Sequence, residues 1–166
     1  TMLQQVRALA AIARERGVAL SHLKPHGALY NTAARDEDIS RTIVDVTIQS
    51  RIPLLIGPPN SRLEMAARQA GLPYLAEGFA DRAYEASGDL TPRTMEGAVI
   101  ALDEDRVRQA VQIASTEYVT TRTGETIALP VRTICVHGDT PGALASARAI
   151  RDALLQAGIS ITAVEP

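Results

Sequence analysis

The chain has 166 residues, 46% hydrophobic and 22% charged, an ordinary globular mix that excludes disorder, which needs low hydrophobicity and a large net charge. Its 17 Lys and Arg against 19 Asp and Glu leave a formal net charge of -2, so no overall field draws nucleic acid or an anionic membrane surface. The single cysteine, Cys135, forbids an intrachain disulfide, and four Tyr, one Phe and no Trp give no stacking platform for single-stranded nucleic acid.

Leu3, Val6, Leu9, Ala10 and Ala13 recur at spacings of three and four, the apolar stripe of a helix that Gly17 ends. No charged segment leading into an apolar one precedes it, so no signal peptide is expected. No apolar run reaches the roughly 18 residues of a membrane helix. Residues 18–23 read as a short buried strand, which Lys24-Pro25-His26-Gly27 breaks because Pro25 biases Lys24 to extended geometry. Residues 36–49 read as a helix with Ile39, Ile43, Val46 and Ile48 among its apolar positions, and residues 52–56 as a buried strand. Asn60 or Ser61 is placed to cap a helix over 62–70 that Gly71 ends, and 72–75 is another short strand.

From residue 77 to 98 no period holds, and loops longer than about 12–15 residues are uncommon in compact domains unless functional or disordered. A helix over 103–115 follows, with Val107, Ala110, Val111 and Ala114 on one face. Residues 118–129 read as a hairpin turning at Thr123-Gly124, and 133–136 as a strand. The polar loop 137–141, a helix over 143–157 stopped by Gly158 and a last strand over 159–164 complete the chain. Strands alternating with helices predict an α/β fold with a parallel sheet, open or closed as a barrel, in one domain spanning 1–166. In either form, ligands gather where strands end and loops run into the next helix.

Three such exits carry polar residues. The first, Lys24-Pro25-His26-Gly27-Ala28-Leu29-Tyr30-Asn31, offers a positive charge in Lys24 for a phosphate or carboxylate. His26 is suited to proton transfer or to a metal. In the second, Cys135-Val136-His137-Gly138-Asp139-Thr140-Pro141, His137 and Asp139 are candidates to bind a metal together or to act as an oriented base. Asp139 or Thr140 is equally suited to be a plain helix cap with Pro141 at the first helical position, and Cys135 to pack in the core. The third is the long loop with Glu77, Asp81, Arg82, Tyr84 and Arg93, in which Glu77 is the best-placed acid and Arg82 and Arg93 are candidate anion clamps. No Walker loop, dinucleotide glycine fingerprint, HExxH or Gly-x-Ser-x-Gly occurs.

Leu23-Lys24-Pro25-His26-Gly27-Ala28-Leu29-Tyr30-Asn31 resembles the signature motif of the LamB/YcsF family. Glu77-Gly78-Phe79-Ala80-Asp81-Arg82-Ala83-Tyr84, Leu90-Thr91-Pro92-Arg93 and Gly97-Ala98-Val99-Ile100 resemble its middle segment. Ile134-Cys135-Val136-His137-Gly138-Asp139-Thr140-Pro141 resembles its C-terminal segment. The resemblance implies a distorted, incomplete β/α barrel of the seven-stranded glycoside hydrolase/deacetylase-like type. It implies ATP-driven opening of the 5-oxoproline lactam to glutamate in the cytoplasm, with 5-oxoprolinase subunits B and C as partners. An Asn-Ala-Asp-Leu-Gly-Glu-like motif expected upstream is not in this sequence, so the chain reads as the C-terminal two-thirds of such a barrel, truncated at its N-terminus.

Carried onto this sequence, the implied site comprises His26, Glu77, His137 and Asp139 as catalytic groups. Lys24, Asp81, Arg82 and Arg93 would bind substrate or phosphate. His26, His137 and Asp139 are the candidates for a divalent metal, Mg first. Two rival readings stand beside it: a metal-assisted amide or carbohydrate hydrolase without ATP, and a noncatalytic barrel fragment that binds a partner or a second copy of itself.

Overall fold

The computed structural model describes residues 1–139 and 142–163. They form two compact units, Thr1–Ala76 and Glu77–Ala163. The order is α1 (Met2–Glu15), α2 (Ala28–Ala33), α3 (Glu37–Gln49), β1 (Leu55–Gly57), α4 (Arg62–Gln69), β2 (Tyr74–Phe79), α5 (Asp103–Thr116), β3 (Tyr118–Thr120), β4 (Thr126–Ala128), β5 (Thr133–Cys135) and α6 (Ala143–Gln156). No helix among the described residues is long and apolar enough to cross a membrane.

In the first unit the caps do what local chemistry requires. Asp36 accepts the Ile39 N–H at 2.9 Å to start α3, and Glu37 and Asp38 place negative charge in its first turn. Ser61 accepts the Glu64 N–H at 3.1 Å to start α4, while the Glu64 carboxylate accepts the Asn60 N–H at 2.7 Å. These helices bury Ile43, Val44, Leu63 and Ala67 against Leu55 of β1. β1 pairs in parallel with the start of β2, Leu55 opposite Tyr74 and Gly57 opposite Ala76. The stripe of α1 is only partly covered: Leu3 and Val6 pack on this core, but Leu9 is more than half exposed.

Gly57 is a steric requirement. A Cβ there would overlap Tyr74 Oη and meet Leu63 Cδ2 at 2.8 Å, and the Tyr74 hydroxyl already donates to the Pro58 carbonyl at 2.8 Å. Gly57→Ala is therefore expected to lower unfolding free energy by about 1–3 kcal/mol. Urea denaturation reads this, and an unchanged midpoint would contradict it.

In the second unit, β2 continues beside β5 in parallel, Glu77 opposite Thr133 and Phe79 opposite Cys135. β3 and β4 form the expected antiparallel hairpin, with Gly124 at φ 90° in its turn. Helices α5 and α6 pack Ala110, Ile150 and Leu154 together with Ala80. Arg106 ties the two helices, donating to Ser146 Oγ at 2.9 Å, to Asp103 at 3.0 Å and to the Ile100 carbonyl at 2.7 Å.

Two expected strands do not form. In 18–23 only Leu23 bridges, to Leu55; Val18 is 60% exposed and the polar Ser21 and His22 bond to each other. Along 159–163 no strand is present: the Ile159 N–H closes α6 by bonding the Leu154 carbonyl, and Ile161 is half exposed. Val164 lies outside the described residues. In both cases an apolar run lacks the neighbouring ladder that makes a strand. α6 starts from Gly142 at φ 83° rather than from Asp139, and the Thr140 and Pro141 of the expected cap lie outside the described residues.

Candidate active site

At the exit of the first unit the expected strand is reduced to a single bridge at Leu23. Leu23 donates to the Leu54 carbonyl and accepts from the Ile56 N–H, both at 2.9 Å, so Lys24 follows a true parallel bridge. Lys24 is half-buried, with Nζ 5.9 Å from the centre of the buried Tyr30 ring, within cation–π range. His26 is exposed, and Gly27 at φ 60° turns the chain into α2, a short helix that the periodicity did not reveal.

The exit of the second unit is more elaborate. In a continued parallel ladder the Ala80 N–H bonds the Cys135 carbonyl, and the His137 N–H then bonds the Ala80 carbonyl. The first bond is present at 3.1 Å. For the second, the Asp81 side chain takes over: His137 N–H donates to Asp81 Oδ2 at 3.0 Å. The same carboxylate holds the imidazole, with His137 Nδ1 2.9 Å from Oδ2 and 3.0 Å from Oδ1. Asp81 is 4% exposed, so this is a charge-assisted contact in a dry place.

A carboxylate only accepts, which assigns the hydrogen to Nδ1 and, in the neutral ring, leaves the Nε2 lone pair unprotonated. The His137 side chain is 25% exposed, so the ring is not sealed from solvent. Phe79 stacks on the imidazole, ring centres 5.6 Å apart and planes 21° apart, which fixes the second rotational freedom. An imidazole oriented by a buried carboxylate is equipped to accept and return a proton, or to ligate a metal with the carboxylate behind it.

The other expected residues fall around this pair in different ways. Glu77 is buried on β2, four residues before Asp81. Tyr84, almost fully buried, accepts the Phe79 N–H at 2.7 Å; burial first, and the charge of Glu77 further, push its phenol well above the usual range, so it stays neutral. Arg82 is not displayed as an open clamp. Its Nη2 donates to the Thr91 carbonyl at 2.6 Å and Nε to the Ala98 carbonyl at 3.2 Å, so it struts the long loop. Burial, aided by Arg93 and opposed by Asp81 and Tyr84, holds its guanidinium below the ordinary arginine value. Arg93 and Asp139 are both more than half exposed, 3.9 Å apart, a pairing of little energetic weight. His137 is thus paired with Asp81, not with Asp139.

Among the described residues no three His, Cys, Asp or Glu side chains gather as a metal cage. A cleft of about 310 Å³ in the second unit is lined by Ala83, Ile100, Gln109, Arg122 and neighbours, and by none of the expected site residues. Gln109 is the polar residue that sequence reasoning missed: its amide reaches the loop of Asp81 from α5. The one sequence signal was a polar phase on α5, where the buried residues are Arg106, Ala110 and Ile113.

Comparison with known proteins places these motifs in context. A LamB/YcsF family model matches residues 1–166. The chain is similar to the 5-oxoprolinase A subunit of Symbiobacterium thermophilum, 47% identical over 163 residues, covering 98% of this chain and 62% of that protein. It is likewise 47% identical over 161 residues to the 5-oxoprolinase A subunit of Chloroflexus aggregans, covering 64% of it. A crystal structure of a lactam utilization protein from Thermus thermophilus superposes with a TM-score of 0.87 at 38% identity, covering 98% of this chain and 65% of that one. The chain thus spans a little under two-thirds of the length of these relatives.

Proposed function

The chain belongs to the LamB/YcsF family, and from that premise we propose that it supplies the proton-transfer group for ATP-dependent opening of the 5-oxoproline lactam to glutamate. The observation that carries this is the Asp81–His137 pair, an oriented imidazole at a strand exit. The relatives, named as 5-oxoprolinase A subunits and as a lactam utilization protein, support the substrate class.

A lactam carbon is a poor electrophile. Transfer of a phosphoryl group from ATP to the lactam oxygen makes that carbon reactive and releases ADP. His137 Nε2 takes a proton from the attacking water, and Asp81 stabilises the imidazolium that forms. As the C–N bond breaks, that proton goes to the ring nitrogen. The acyl phosphate left behind reacts with a second water to give glutamate and inorganic phosphate. Glu77 is the second acid of the reading, and Arg93 is its exposed cation for phosphate. Lys24 and His26 remain candidate groups from the first unit. The divalent ion expected beside ATP would travel with the nucleotide phosphates, and no step is assigned to it.

The same reading takes the chain as part of a distorted β/α barrel that acts in the cytoplasm with subunits B and C, or with further copies of itself. The test uses the full-length protein assembled with those subunits. His137→Ala and Lys24→Ala are each expected to abolish 5-oxoproline-dependent ATP hydrolysis, and wild-type rates in both would overturn the assignment. The carboxylate behind the imidazole also suits a metal ligand. ATP-independent turnover that a chelator abolishes would favour that second reading.

A further inference from the structure

We propose that Gln109 is a positioning residue that sets the Asp81–His137 geometry; this rests on the proton-transfer role just given to that pair. The backbone from residue 79 to 82 leaves the sheet, and each of its carbonyls needs a donor once removed from water. Ile100 N–H supplies one to the Asp81 carbonyl at 3.0 Å. The other three face a single side chain. Gln109 Nε2 lies 2.7 Å from the Phe79 carbonyl, 2.8 Å from the Arg82 carbonyl and 3.4 Å from the Ala80 carbonyl. An amide nitrogen carries two hydrogens, so two of these contacts are full bonds and the third is a weak one.

The consequence lies in the ladder. The Ala80 carbonyl is the group that would otherwise accept the His137 N–H. Turned toward Gln109, it leaves that N–H to Asp81 Oδ2. The carboxylate is thereby held at both the backbone and the ring of His137. Tyr84 fixes the Phe79 N–H from the other end of the corner. Without the amide donors the corner regains the choice of an ordinary rung, and Asp81 loses its backbone anchor.

Two variants of the full-length assembled protein test this. Gln109→Met keeps length without donors; Gln109→Glu keeps shape but turns an acceptor toward three carbonyls. Each is expected to lower kcat for 5-oxoproline-dependent ATP hydrolysis about 10–100-fold, the scale of a small misplacement of a reacting group, with KM little changed. In ¹⁵N NMR of the imidazole, the His137 Nδ1–H tautomer is expected to give way to a mixture. A folded variant of either kind with kcat and the His137 spectrum of the wild type would overturn the inference, provided His137→Ala is inactive. Full activity in His137→Ala would instead bring down the proton-transfer reading itself.

Discussion

Asp81→Asn is expected to lower kcat for lactam opening by about 10²–10⁴-fold while leaving KM close to the wild-type value. The amide is nearly isosteric and its oxygen can still accept the His137 N–H, which now bonds Asp81 Oδ2 at 3.0 Å. What it loses is the negative charge beside Nδ1 and the certainty of the tautomer. The amide can present its NH₂ to the ring, forcing the hydrogen onto Nε2, where it blocks proton acceptance. It also cannot stabilise an imidazolium in a site where Asp81 is 4% exposed. Steady-state kinetics of the assembled full-length enzyme reads the effect, and a thermal melt separates it from unfolding. A kcat within twofold of wild type would mean that His137 works without its carboxylate, or does not work as a base.

That pair also shows where sequence reading stops. Some caps and stops were legible because they are local: Ser61 and Gly71 do at their own helix ends what side chain or backbone freedom dictates, whereas Asp36, read as the first residue of its helix, is its N-cap, and α6 is capped by Gly142. The α/β alternation and the strand exits followed from the same short-range logic. Strand 18–23 did not, since a strand exists only through its neighbour and only Leu23 found one. His137 was expected to work with Asp139, two residues away, yet its partner is 56 residues back along the chain. Nothing in spacing can show that an aspartate replaces a ladder carbonyl. Arg82 illustrates the opposite error. A cation in a long loop reads as a clamp for anions, but an irregular loop has carbonyls of its own to satisfy, and Arg82 serves Thr91 and Ala98. Gln109 carried only a weak local signal, a polar residue beside the buried positions of α5, because its role is tertiary.

The support under the site makes the second large prediction. Gly78 sits between Glu77 and Phe79, and the space where its side chain would stand is filled: a Cβ would lie 3.2 Å from Val131, 3.5 Å from Ile113 and 3.5 Å from Leu129. Ile113 is 1% exposed and lies one turn of α5 beyond Gln109. The helix thus braces β2 twice, by packing beneath Gly78 and by hydrogen bonds at the corner that follows. Ile113→Ala is expected to cost about 2–5 kcal/mol of stability, and Ile113→Val only about 0.5–1.5. Gly78→Ala alone crowds Val131 and is also destabilising. In the double variant the new methyl occupies part of the space that Ile113→Ala vacates, so its cost is expected to fall short of the sum by about 0.5 kcal/mol or more. Urea denaturation of the four proteins completes the cycle. Strict additivity would show that α5 and β2 are not in the contact described, and would remove the physical basis for assigning α5 a part in holding Asp81.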